Sequence, residues 1–278
     1  MSLYSFAKKI VKSLRKRKLI PIIKVMPSNN ILNNKTVLVT GGTGGIGFAV
    51  AELFVGRGIK VILSGRNEEK LESAKKKLNS ISAESCEVLP IDMKDISSFP
   101  QKVKEASKIF GSFDVLIHCS GVHTENVDFW IMTENEFDRV MNINLKGCYF
   151  MCQAVGKYFR DSKINGKIVL ISSSRGSEPA WSPYGISKWG MNGMVKGLAQ
   201  IFSKHGITVN AVAPGSTATS LLGYKNGESI SSDENSVGRM VMPEEVSNLV
   251  SLLASDAGNM INGEVVHISA GRGVFDIR

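Results

Sequence analysis

A doubly wound α/β fold, a seven-stranded parallel sheet with helices on both faces, is predicted by three features of the 278-residue chain. Short apolar runs alternate with longer segments whose apolar residues recur every three or four positions, the mark of strands leading into amphipathic helices. A glycine-rich turn, Gly41 to Gly47, follows the first run and opens the first of those helices. The motifs then follow one another in a single order, which argues for one domain over residues 35–278, and 43% apolar residues are ample for its core.

The net charge of +9 is concentrated at one end. Residues 1–34 carry eight basic side chains, Lys8, Lys9, Lys12, Arg15, Lys16, Arg17, Lys18 and Lys24, and no Asp or Glu, leaving 26 basic against 25 acidic residues in the rest. A domain so near neutrality offers no nucleic-acid footprint. Leu3, Phe6, Ala7, Ile10, Val11 and Leu14 fall at helical spacing among those cations, so residues 2–18 read as a basic amphipathic helix and residues 19–34 as a connector. Such a helix suits an anionic membrane surface, an acidic partner or a targeting role, and equally a solvated helix or one packed on a neighbouring subunit.

No apolar run reaches the roughly 18 residues that span a bilayer. Cys86, Cys119, Cys148 and Cys152 lie within expected strands and helices, as free thiols do in a reducing compartment. A cytoplasmic protein is expected, with peripheral membrane contact through the extension as a further option. Cys148 and Cys152 lack a neighbouring His or Cys cluster, so no metal site is expected.

In chain order, a strand over 35–40 feeds the glycine turn and a helix over 46–57. Glycines there permit a tight turn and let a pyrophosphate approach backbone N–H groups at the helix N-terminus, which selects Gly41, Thr43, Gly44, Gly45, Ile46 and Gly47. A second strand over 60–64 ends at Gly65-Arg66, where a dinucleotide site places the group that meets the adenosine ribose. An acid there would repel a 2′-phosphate, whereas a guanidinium binds it. NADP(H) is therefore favoured, with NAD(H) left open if Arg66 merely pairs with Glu68 or Glu69.

A third strand over 87–91 leads to Asp92-Met93, a helix over 97–110 follows, and a fourth strand over 113–118 ends in His118-Cys119-Ser120-Gly121. One long helix is expected over 134–159, enclosing Asn142-Ile143-Asn144. The fifth strand, 167–171, delivers Ser172, Ser173 and Ser174. From Ser182 to about residue 203 the pattern is again helical, which sets Tyr184 and Lys188 one turn apart on one face. A phenol of ordinary pKa about 10 trades protons near neutrality only with help, and an ammonium so placed supplies it. A sixth strand over 207–212 precedes Pro214-Gly215-Ser216-Thr217-Ala218-Thr219. Residues 220–240 form a polar stretch long enough for a substrate lid. A helix over 243–255 and a strand over 264–268 close the chain.

Together, the glycine turn, Asn144, Ser173-Ser174-Arg175-Gly176 and Tyr184-Gly185-Ile186-Ser187-Lys188 resemble the short-chain dehydrogenase/reductase family from about residue 35 to 273. The likeness is to its single-domain, NADP(H)-preferring branch of 3-oxoacyl-reductase-like enzymes. The glycine spacing also fits the larger sugar-nucleotide epimerases, but only 90 residues follow Lys188, too few for their second domain. The resemblance implies a single-domain Rossmann fold. It places Asp92, Met93, Ser120 and Gly121 beside the adenine and cofactor, Pro214, Gly215 and Thr217 beside the carboxamide, and Thr219 on a phosphate. It makes Tyr184 the general acid/base, and has Lys188 hold the ribose and tune Tyr184.

By the same resemblance, Ser173 polarises the carbonyl, with Ser172 a minority candidate, and Asn144 holds a proton-delivery water. It further implies a homodimer or homotetramer packed through the helices that carry Trp189, Met191 and Met194, although plain core packing explains those residues as well. Two departures stand out. His118 replaces an asparagine that braces the strands and reads as a structural substitute, and Ser269-Ala270-Gly271 replaces Asp-Gly-Gly. Glu178, Trp181 and Pro183 become candidate substrate-pocket residues. The expected activity is reduction of a ketone or 3-oxoacyl compound, a small-molecule carbonyl, since cellular NADP is kept largely reduced. A second reading, an NADP(H)-binding sensor or scaffold, has no need of the complete Ser-Tyr-Lys set.

Overall fold

In the computed structural model, residues 35–125, 128–225 and 227–275 are described. The basic amphipathic helix and connector expected over residues 1–34 lie outside them. Seven parallel strands form one sheet: β1 (Thr36–Thr40), β2 (Lys60–Gly65), β3 (Cys86–Pro90), β4 (Val115–His118), β5 (Lys167–Ile171), β6 (Thr208–Pro214) and β7 (Val265–Ile268). Their order, β3-β2-β1-β4-β5-β6-β7, reverses direction between β1 and β4, and a crevice opens at that switch above the strands' carboxyl ends. The helices are α1 (Gly45–Val55), α2 (Glu68–Ile81), α3 (Phe99–Ile109), α4 (Glu134–Met141), α5 (Cys148–Asp161), α6 (Pro183–Phe202) and α7 (Pro243–Ala254).

Alternation along the strands divides the core in two. Leu38, Ile62, Leu116 and Ile168 join Met151, Phe159, Val195 and Leu198 in one cluster. Val37, Val39, Leu63, Ile117 and Val169 join Val50, Phe54, Leu71 and Val250 in the other. Phe54, Phe113 and Phe159 are fully buried, and truncating any of them to Ala would cost about 3–5 kcal/mol. That double-sided burial holds the strand ends, and hence the crevice, rigid.

Two expected elements differ in detail. The helix over 134–159 is not uniform: a six-residue π-helical segment, Asn142–Gly147, joins α4 to α5. Gly147 lets this segment lie close against the loop after β3, because a Cβ there would stand 2.7 Å from the Met93 carbonyl oxygen. Most of the predicted lid, residues 223–225 and 227–240, carries little regular structure and is held by loop hydrogen bonds and by a bridge between Ser231 and Arg239. Among the described residues, no helix is long and apolar enough to cross a membrane.

Candidate active site

The switch between β1 and β4 is braced by the residue that departs from the family pattern. His118 is fully buried, and its Nδ1 lies 2.9 Å from Thr40 Oγ1 across the paired strand ends. The histidine thus performs the structural bridging expected of it. Its Nε2 has no hydrogen-bond partner among the described residues.

Gly41 turns the chain at φ +66, and a Cβ on it would stand 2.7 Å from the Ser120 backbone nitrogen. Only glycine lets the two loops meet so closely. The following helix, α1, has no side-chain cap, and its first intrahelical bond is Phe48 N to Gly44 O at 2.7 Å. The N–H groups of Gly45, Ile46 and Gly47 therefore remain for an anion, which is the donor set a dinucleotide pyrophosphate needs.

A cavity of about 760 Å³ runs from this helix end across the strand termini. Its wall includes Gly41, Thr43, Gly44, Gly45, Ile46 and Gly47 at one part, and Arg66, Asp92 and Met93 where an adenosine would lie. Ser120, Gly121, Pro214, Gly215, Thr217 and Thr219 complete the expected cofactor wall, and Ser173, Tyr184 and Lys188 line the same space. Arg66 is exposed there and forms no ion pair with Glu68 or Glu69 among the described residues. Lys70 adds a second cation to this wall that sequence reasoning passed over, although its position in the first turn of α2, four residues after Arg66, could have signalled it.

Ser182 starts α6, accepting from Gly185 N at 3.2 Å, with Pro183 in the first turn, as capping preferences require. Tyr184 N donates to Thr124 Oγ1 at 3.1 Å, which ties the helix start to the loop after β4. Lys188 is 4% exposed, and its Nζ donates to the Ile171 carbonyl at 2.8 Å while standing 5.6 Å from the centre of the Tyr184 ring. The pairing expected from four-residue spacing is therefore formed, with the ammonium anchored to the end of β5.

The serines separate by what their hydroxyls already do. Ser172 Oγ donates to Asn192 Oδ1 at 2.5 Å, whereas Ser173 Oγ accepts from Arg175 N at 3.2 Å. The Ser172 proton is committed; that of Ser173 remains for a carbonyl oxygen in the cavity.

Asn144 does not reach the cavity wall. It is fully buried behind Gly121, its Oδ1 accepting from Val122 N at 2.8 Å and its Nδ2 donating to Val122 O at 2.9 Å and Ser187 Oγ at 3.3 Å. Its side chain links the π-helical segment to the β4 loop and to the helix bearing Tyr184. Glu178, Trp181 and Pro183 also stay off the wall: Pro183 packs inward, Trp181 meets Phe129 edge-on at 6.2 Å, and Glu178 lies behind Arg272. Of the three residues on α6 considered for subunit contact, Met191 is core, Met194 packs against it, and Trp189 is half-exposed.

Sequence reasoning missed several wall residues. His123 stacks on Tyr184, and Ser216, Glu234 and Arg272 meet at one part of the cavity, brought there from chain positions far apart. Glu178 accepts from Arg175 Nη1 at 2.6 Å and from Arg272 Nε at 2.8 Å. Burial acts to raise its carboxyl pKa, but the two guanidinium groups outweigh it and hold the group below the ordinary glutamate value.

A switch-point crevice with an uncapped helix end, a tyrosine–lysine pair and a free serine hydroxyl defines a dinucleotide-dependent α/β oxidoreductase. The chain belongs to the short-chain dehydrogenase family, whose model matches residues 35–229. It is 35% identical over 245 residues to the 3-oxoacyl-[acyl-carrier-protein] reductase FabG of Rickettsia felis, a match spanning 86% of this chain and 97% of that one. It is 30% identical over 245 residues to a 3alpha-hydroxysteroid dehydrogenase of Mediterraneibacter gnavus, covering 86% and 96%. Among solved structures, ElxO with NADP bound superposes with a TM-score of 0.78 at 30% identity, covering 86% of this chain and 98% of that one. The protein is thus an oxidoreductase of this family, acting on CH–OH or C=O groups with a nicotinamide cofactor.

Proposed function

We propose that this protein is an NADP(H)-dependent reductase of a ketone or 3-oxoacyl substrate, with Tyr184, Ser173 and Lys188 as its catalytic residues. The observation that carries this reading is the Lys188 ammonium 5.6 Å from the Tyr184 ring centre, on the wall of a cavity that Ser173 shares.

The bound nicotinamide would supply the hydride to the carbonyl carbon. Tyr184 donates its phenolic proton to the carbonyl oxygen, and the Lys188 charge stabilises the negative charge left on the phenol. Ser173 donates a hydrogen bond to the same oxygen, favouring the transition state as negative charge grows there. Lys188, held by Ile171, and the uncapped end of α1 would hold the ribose and pyrophosphate. Arg66 and Lys70 supply two cations for a 2′-phosphate, which supports NADP(H) over NAD(H). ElxO was solved with NADP bound and a 3-oxoacyl-[acyl-carrier protein] reductase of Brucella melitensis with NAD bound, so the preference rests on these two cations. Asn144 acts by positioning the β4 loop against α6 and, in this reading, carries a water for proton return.

The half-exposed Tyr149 and Trp189, on α5 and α6, offer apolar surface for a second copy, consistent with a homodimer or homotetramer. A cytoplasmic location, with residues 1–34 contacting a membrane surface or an acidic partner, completes the reading.

Replacing Tyr184 with Phe removes the transferable proton without altering the fold. NADPH consumption with a ketone panel should fall by about 10²–10⁴-fold while NADPH binding persists. Retained turnover would reject the assignment, and intact cofactor binding with no wild-type turnover on any ketone would favour a sensor.

A further inference from the structure

We propose that Arg272 receives a carboxylate of the substrate, so that the preferred substrates are carbonyl compounds carrying an acidic group. This rests on the reductase reading above and names the substrate class of that site.

Arg272 reaches the cavity through an unusual turn. After β7 the chain passes Ala270 at φ +48, Gly271 at +93 and Gly273 at +74, and Ser269 Oγ donates to the Arg272 carbonyl at 2.7 Å. A Cβ on Gly273 would lie 2.7 Å from the Ser174 carbonyl oxygen, so the turn is pressed against the segment that carries Ser173. The guanidinium consequently lines the same space as Ser173 and Tyr184.

Its charge is only partly answered by fixed groups. Arg272 Nε and Arg175 Nη1 both bind Glu178, at 2.8 and 2.6 Å, so two guanidinium groups share one permanent carboxylate. The remaining positive charge is met by Glu234, whose Oε2 accepts from Arg272 Nη1 and from Ser216 Oγ. Arg272 Nη1 also donates to Ser216 Oγ at 2.7 Å.

The two carboxylates differ in how firmly they are held. The Glu178 side chain is 17% exposed, and its backbone carbonyl accepts from Trp189 Nε1 at 2.6 Å. The Glu234 side chain is 52% exposed and projects from a segment whose backbone is fastened on either side, Met240 N donating to Ile230 O at 2.7 Å and Ser236 N to Ala270 O at 3.1 Å. Its carboxylate can swing out into solvent by side-chain rotation with the backbone in place, whereas that of the largely buried Glu178 cannot. A substrate carboxylate taking its place exchanges one anion for another and leaves no charge unpaired in the cavity, so the exchange avoids the cost of an orphaned guanidinium. A neutral substrate would either leave Glu234 in place, narrowing the cavity, or leave Arg272 with only the carboxylate it shares with Arg175 and Ser216 without its acceptor.

The test uses 4-oxopentanoate and its methyl ester, ketones that differ by one charge, titrated into the full-length enzyme with NADP⁺ by calorimetry and assayed with NADPH. The acid should bind about tenfold more tightly than the ester or better. Arg272→Met should bring the acid-to-ester ratio to about one, Arg272→Lys should keep part of it, and Glu234→Gln should tighten acid binding by removing the internal competitor. Equal binding of acid and ester, survival of the preference in Arg272→Met, or binding of neither compound overturns the proposal. Ester turnover equal to that of the acid would leave the reductase standing while this inference fails.

Discussion

The imidazole of His123 lies over the phenol of Tyr184, ring centres 4.4 Å apart and planes 26° from parallel. The loop that presents it is fastened by Arg139, whose Nη2 donates to the His123 carbonyl at 2.8 Å. Stacked rings of this kind contribute about 0.5–1.5 kcal/mol beyond the area they bury. His123 therefore restricts the phenol to the orientation in which it faces the cavity.

His123→Ala should lower kcat/KM for ketone reduction by about two- to tenfold, the kinetic equivalent of losing that stack. His123→Phe, which keeps an aromatic face, should recover most of the loss. Identical steady-state kinetics for the Ala variant and the wild type would dismiss the stack as incidental.

Arg66→Glu should raise KM for NADPH by about 10- to 100-fold, the range expected when a charge-assisted hydrogen bond is lost. The effect on NADH should be small or opposite in sign. Parallel KM determinations with both cofactors check it, and an unchanged NADPH/NADH ratio would assign the 2′-phosphate to another group.

Gly41→Ala places a side chain at φ +66, where the Cβ would stand 2.7 Å from the Ser120 backbone. The left-handed backbone alone costs roughly 1–2 kcal/mol. Gly58→Ala, at φ +74 with no atom within 4 Å of its Cβ, provides a matched comparison. Urea unfolding should show the larger loss at Gly41, together with weakened cofactor binding that Gly58→Ala does not share.

Because Glu178 is held below its ordinary pKa in the folded protein, its contribution to stability is present above the unfolded value and disappears as pH falls through the folded one. The melting-temperature gap between wild type and Glu178→Gln should therefore be widest near neutrality and begin to close as pH falls below about 4.3, the unfolded glutamate value. A gap independent of pH would show that Glu178 acts by packing rather than by charge.

Much of this architecture was legible because it depends on local chemistry. The glycine turn, the four-residue spacing of Tyr184 and Lys188 and the Ser182–Pro183 helix start each follow from backbone preferences acting over a few residues. The π-helical segment was not legible, because the phase shift made by one extra residue cannot be told from ordinary irregularity in the short apolar patterns on either side of residues 142–147. The choice of Ser173 over Ser172 followed from spacing, yet the reason for it, the engagement of Ser172 by Asn192, lies twenty residues away.

By itself the sequence determined the strand and helix order, the dinucleotide-binding turn and the three residues proposed to act on the carbonyl. All of these are encoded at short range, by periodicity and by motifs. Only the tertiary structure decided that His123 covers Tyr184, that Asn144 stands behind the wall rather than on it, and that Arg272 joins Glu178, Ser216 and Glu234. Those contacts form between segments brought together by sheet topology, and side chains separated by up to 94 positions leave no periodic trace of their meeting.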